Sequence, residues 1–166
     1  MKLIKAPNDF LEKQVKEFDF NTMDAEKITA DMYEIMKKYD GVGLAANQVG
    51  LDAQIFIMGE DKPMTIINPV ITEVSANQVE MTEGCLSFPG LFMNIKRPDA
   101  VGVKYLDTQQ KECIIKLEGF HARVFLHEYE NIKVKSVPFI DDFANYSYPC
   151  FPIRNRFHDN FVFKSA

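Results

Sequence analysis

The chain has 166 residues, 46% hydrophobic and 26% charged, enough for one soluble globular core and too ordered in composition for a disordered tail. Its net charge of −5 argues against a nucleic-acid-binding surface, which would be basic. No stretch approaches the roughly 20 apolar residues of a membrane span, and the N-terminal lysines lead into no apolar run of the signal-peptide kind. Three cysteines, Cys85, Cys113 and Cys150, form no Cys-x-x-Cys pair, so a cytoplasmic, reducing compartment is expected.

Residues 22–39 predict an amphipathic helix. Thr22 and Asp24 are candidate caps, Ile28, Met32, Ile35, Met36 and Tyr39 recur at helical spacing, and Asp40-Gly41 ends the run. A small-residue loop follows, Gly41-Val42-Gly43-Leu44-Ala45-Ala46-Asn47-Gln48. It comes after a helix and not a strand, so it is no dinucleotide fingerprint. Short strands are expected at 54–58, 64–67, 71–74, 100–106 and 113–117, bounded by Pro, Gly, Asn and Asp. From Phe120 to Tyr129 the apolar residues return to helical spacing. Short strands with two helices point to an α+β fold, in one domain over 1–166. The segment 133–166 differs. It is rich in phenylalanine and interrupted by Pro138, Pro149 and Pro152, which predicts irregular packing or a short strand and no long helix.

Two segments carry candidate chemistry. Glu83-Gly84-Cys85-Leu86-Ser87 offers a thiol, with glycine permitting close backbone approach, and His127-Glu128 offers an imidazole beside a carboxylate. A hydrolytic metal centre needs about three protein ligands, an open position and a nearby base. Residues i and i+4 of a helix share a face, so position 131 is where a second helical ligand belongs. Asn131 stands there. Taken singly, Cys85 reads as a small buried hydrophobe, His127 as a packed helix residue, Gly41-Val42-Gly43 as a helix stop and Gln48 as a surface polar group.

Together, the 41–48 loop, the 83–87 segment and His127-Glu128 closely resemble the three signature motifs of the peptide deformylase family. The flanking Asn68-Pro69, Lys96-Arg97-Pro98 and Gly119–Val124 fit as well, and the likeness covers about residues 1–130. The resemblance implies short antiparallel strands around a central helix carrying His127 and Glu128. It implies removal of the N-formyl group from N-formylmethionyl nascent peptides by metal-bound water, with release of formate, in the cytoplasm near the ribosome exit. Cys85 and His127 match metal ligands for one Fe2+, with Zn2+, Ni2+ or Co2+ as substitutes. Glu128 matches the general acid-base, and Gln48 and the Leu86 N–H match the donors to the formyl oxygen. Val42, Gly43, Leu44, Gly84 and Val124 match peptide contacts, Val42 and Val124 walling the methionine pocket. No direct nucleic-acid or membrane partner is implied.

The chain departs from the pattern in one run. The third metal ligand is replaced by Asn131, Glu130 stands in place of an Asp, Leu126 in place of a Gln, and 132–134 read Ile-Lys-Val. A carboxamide is a weaker, shorter donor than imidazole, so reduced metal occupancy is expected. His121 lies roughly 240° from His127 around a helix, leaving His158 as the remaining alternative ligand. The rival reading is a non-catalytic relative that keeps the peptide groove.

Overall fold

The computed structural model describes residues 1–133. Helix α1, Ala25–Lys38, begins at Asp24, whose side chain accepts from the Lys27 N–H at 3.0 Å. That bond satisfies one of the orphan amides of the first turn, and Lys37 and Lys38 sit favourably at the negative end of the helix dipole. Thr22 is not a cap. Its hydroxyl bonds Asp19 in the preceding turn. Seven strands follow: β1 Gly43–Ala45, β2 Ile55–Met58, β3 Met64–Val74, β4 Gln78–Cys85, β5 Phe88–Pro98, β6 Ala100–Leu106 and β7 Glu112–Glu118. Helix α2, Gly119–Lys133, closes the described region.

The strands form a five-stranded antiparallel sheet in the order β1-β2-β3-β6-β7 and a separate β4-β5 hairpin. Side chains alternate between sheet faces, and this alternation creates two cores. Ile55, Ile57 and Ile67 point toward Ile28, Met32 and Met36 of α1. Phe56, Met58 and Ile66 point the other way and pack with Phe125, Tyr129 and Ile132 of α2. Phe56 meets Phe125 edge-on, with ring centroids 5.4 Å apart. The central strand β2 is therefore buried on both faces, and α2 is covered by protein along nearly its whole length.

Three differences from the sequence reading have physical causes. The two expected strands at 64–67 and 71–74 are one eleven-residue strand, because Asn68 takes a positive φ of 48° and the register shifts there without ending the pairing. Likewise β5 runs eleven residues, so not every strand is short. The β4-β5 hairpin, which the sequence did not suggest, carries mostly exposed residues on β4 and lacks an apolar alternation. The expectation for the tail falls, beyond Lys133, outside the described residues.

Candidate active site

Gln48 belongs to a short 3-10 turn, Ala46–Val49, that directly follows β1. Its Oε1 accepts from the Ala45 N–H at 2.8 Å, which fixes the orientation of the amide. Nε2 must then face the other way, and it lies 3.4 Å from Cys85 Sγ and 3.2 Å from Ser87 Oγ. The N-terminal segment braces both pieces: the Ile4 N–H donates to Gln48 O and the Ala6 N–H to Ser87 O. Cys85 ends β4, and His127 and Glu128 project from α2.

His127 is held from two sides. Its Nδ1 lies 3.0 Å from Glu83 Oε2, and its ring also bonds the Cys85 side chain. Burial pushes the Glu83 carboxyl up, but hydrogen bonds and charge from His127 and Arg97 outweigh it and hold the group down at about 2. An ionised carboxylate can only accept, so Nδ1 carries the proton and Nε2 is left for Cys85. Burial lowers the affinity of His127 for a second proton, yet its bonds to Cys85 and Glu83 reverse this and raise its pKa to about 10.

Two buried arginines fix Glu83 in turn. Arg97 grips it through Nε at 2.7 Å and a terminal nitrogen at 3.0 Å, and reaches Glu130 at 2.7 Å. Arg123 adds a bond to Glu83 Oε1 at 2.5 Å and one to the Ile95 carbonyl at 3.1 Å. The paired bonds match guanidinium to carboxylate, and each charge has a partner in a dry setting. Nothing in the sequence motifs alone gives Glu83, Arg97 or Arg123 a role. The available signal was Arg123, a cation inside an otherwise apolar helical run.

Glu128 is 4% exposed, and burial is the main reason its carboxyl is raised to about 7. Its side chain fills the space that a Cβ at Gly43 would take, since such an atom would lie 2.5 Å from Glu128 Oε1. Gly84 is constrained in the same way by the Phe92 ring at 2.9 Å. Asn131 donates through Nδ2 to Glu128 Oε2 at 3.1 Å, and its backbone carbonyl accepts from Asn47 Nδ2 at 2.7 Å.

These groups surround a cavity of about 460 Å³. Val42, Gly43, Gln48, Gly84, Cys85, Leu86, Val124, His127 and Glu128 all lie on its wall. Leu44 does not. Its side chain is fully buried in the core beside α1, so only its backbone is left for any contact with a bound peptide. Asn131 is also away from the wall, and His121 is exposed. His158 lies outside the described residues.

Comparison with known proteins decides the family. The model for polypeptide deformylase matches residues 1–146. The chain belongs to the polypeptide deformylase family. The match runs past residue 130, where the likeness in the sequence motifs ends. A peptide deformylase of Borreliella burgdorferi is 39% identical over 147 residues, covering 85% of this chain and 86% of that protein. The chloroplastic peptide deformylase 1B of Oryza sativa subsp. japonica is 35% identical over 142 residues, covering 80% of this chain and 52% of its own length. The chain thus spans about half the length of the plastid deformylases it matches. The crystal structure of the deformylase from Thermotoga maritima superposes with a TM-score of 0.77 at 36% identity, covering 80% of this chain and 91% of that one. The α+β architecture is that of this deformylase. Among the described residues no helix is long and apolar enough to cross a membrane.

Deformylases are metalloenzymes, and the donors here suit an ion of that kind in part. Cys85 and His127 are of the sulfur and ring-nitrogen donor types that iron, zinc, nickel and cobalt accept once deprotonated, and Glu83 bonds His127 from behind as an outer-sphere carboxylate does. The third position offers a carboxamide already engaged with Glu128.

Proposed function

We propose that this chain hydrolyses the N-formyl group of N-formylmethionyl peptides, releasing formate and a free α-amine. The observation that carries the reading is the convergence of Cys85, His127, Glu128 and Gln48 Nε2 on one cavity, in a chain of the deformylase family. Cys85 and His127 would hold one divalent ion, ferrous iron or in its place zinc, nickel or cobalt, which supplies Lewis-acid polarisation and acidifies water.

The protein's own groups do the rest. Glu128, buried and raised to about 7, is matched to a general base near neutral pH: it takes the proton of the attacking water and passes it to the departing nitrogen. The water oxygen bonds to the formyl carbon, the C–N bond breaks, and formate leaves. Gln48 Nε2, oriented by the Ala45 amide, and the Leu86 N–H donate to the formyl oxygen as it becomes anionic. One such donor is worth about 10²–10³ in rate. Val42 and Val124 wall the pocket for the methionine side chain. Gly43, Gly84 and the backbone at Leu44 accompany an extended peptide. The expected substrates are nascent chains in the cytoplasm, met near the ribosome exit.

The test is formate release from N-formyl-Met-Ala-Ser by the full chain supplied with Co2+, with N-acetyl-Met-Ala-Ser as control. Turnover of the formyl peptide alone supports the reading. A peptide that binds and is never cleaved would place the chain among non-catalytic relatives.

A further inference from the structure

Position 131 lies four residues after His127, one turn along the same face of α2, where a long donor-bearing side chain would meet an ion beside Cys85. The side chain present does something else. Asn131 is 3% exposed and stands behind the cavity wall formed by Cys85, His127 and Glu128. Its Nδ2 turns back three residues to donate to Glu128 Oε2 at 3.1 Å. Among the described residues no three His, Cys, Asp or Glu side chains are grouped so as to hold a metal.

We infer that Asn131 is a positioning residue for Glu128 and not a metal ligand, so that among the described residues Cys85 and His127 alone hold the divalent ion, which exchanges readily. The clamp has a geometric purpose. Glu128 lies in the space left by the missing side chain of Gly43, and the Asn131 amide holds the carboxylate in that slot from the opposite side. The inference rests on the deformylase reading in taking a divalent ion to belong at this site and, for its kcat readout alone, in taking Glu128 as the base.

The experiment is a titration of Co2+ into the metal-stripped full chain without substrate, following the thiolate-to-cobalt absorption in the near ultraviolet. The expected wild-type affinity is micromolar or weaker, and dialysis against a chelator empties the site. Asn131→His supplies a third donor and tightens binding by about 100-fold or more. Asn131→Ala leaves Co2+ affinity within about threefold of wild type, the result for a residue outside the coordination sphere. At saturating Co2+ the same variant lowers kcat about tenfold with KM unchanged, because the clamp on the base is lost. Weakening of Co2+ binding by tenfold or more in a folded Asn131→Ala protein would make Asn131 a ligand and overturn the inference. If that variant does not fold, wild type decides: stoichiometric metal retained through chelator dialysis overturns it equally. Because the titration uses no substrate, an absence of formate release would count against the proposed activity while leaving this result unaffected.

Discussion

The two helices make opposite uses of burial. Helix α1 hides one stripe, Ala25, Ile28, Met32 and Met36, and leaves its other face to water. Helix α2 is buried almost all round, and the hidden set includes Arg123, His127, Glu128 and Asn131. A polar group in a dry interior is tolerated only when paired, so every polar residue on α2 imposes a demand on its neighbours. Glu83 meets the demand of Arg123 and His127, Arg97 balances Glu83 and Glu130, and Asn131 serves Glu128. Packing alone accounts for α1. On α2 packing and chemistry are inseparable, and perturbing each helix should expose the contrast.

The largest expected effect is on the α2 side. Arg97→Met removes the cation shared by Glu83 and Glu130, leaving Glu83 to Arg123 and His127 and stranding the carboxylate of Glu130, which should cost about 3–5 kcal/mol in urea unfolding. Formate release should fall with it, because Glu83, left with Arg123 as its arginine partner, orients His127 less firmly. A loss below about 1 kcal/mol would mean that the network is far wetter than its burial indicates.

Acid should break the same network. The folded pKa of Glu83, about 2, lies below its ordinary 4.5, so its stabilisation is complete above about 4.5 and is lost as pH falls toward 2. The amount at stake is on the order of 3 kcal/mol. Unfolding free energies measured across that range should decline with a matching slope, and Glu83→Gln should flatten it. An unchanged slope in that variant would assign acid sensitivity to other carboxylates.

The smallest effect belongs to α1. Asp24→Ala deletes the cap that accepts from Lys27 and should cost about 1 kcal/mol, with kcat unaltered. A change in kcat would show that α1 reaches the chemistry in a way its packing does not suggest.

The same contrast explains what could be read from the sequence. Helix α1 was legible because a half-exposed helix prints its buried stripe at a period of 3.6. Strand β6 was legible over its full length, 100–106, for the matching reason in sheets. The hairpin β4-β5 was not, because β4 is mostly exposed and β5 mixes buried and exposed apolar residues without one sustained period. In the site, the 41–48, 83–87 and 127–128 segments pointed to the family, and the comparisons with known proteins assign the chain to it. The partnership of the arginines with Glu83 was hidden, because an arginine in a sequence reads as surface until its partner is found, and Glu83 is 14 residues from Arg97 and 40 from Arg123; only the apolar run around Arg123 hinted at burial. The engagement of Asn131 with Glu128 was equally hidden. Spacing puts a residue on a face, but it does not say which of its atoms turns toward which neighbour.

Everything proposed for the reaction turns on Glu128, held in the Gly43 slot, acting as the base. Its most direct test is formate release from N-formyl-Met-Ala-Ser by Co2+-supplied wild type beside Glu128→Gln, both confirmed as folded by thermal melting. Turnover is expected from wild type, with a loss of about 10²–10⁴ in kcat in the variant. Equal rates in the two proteins, or none in wild type with its metal bound, would contradict it.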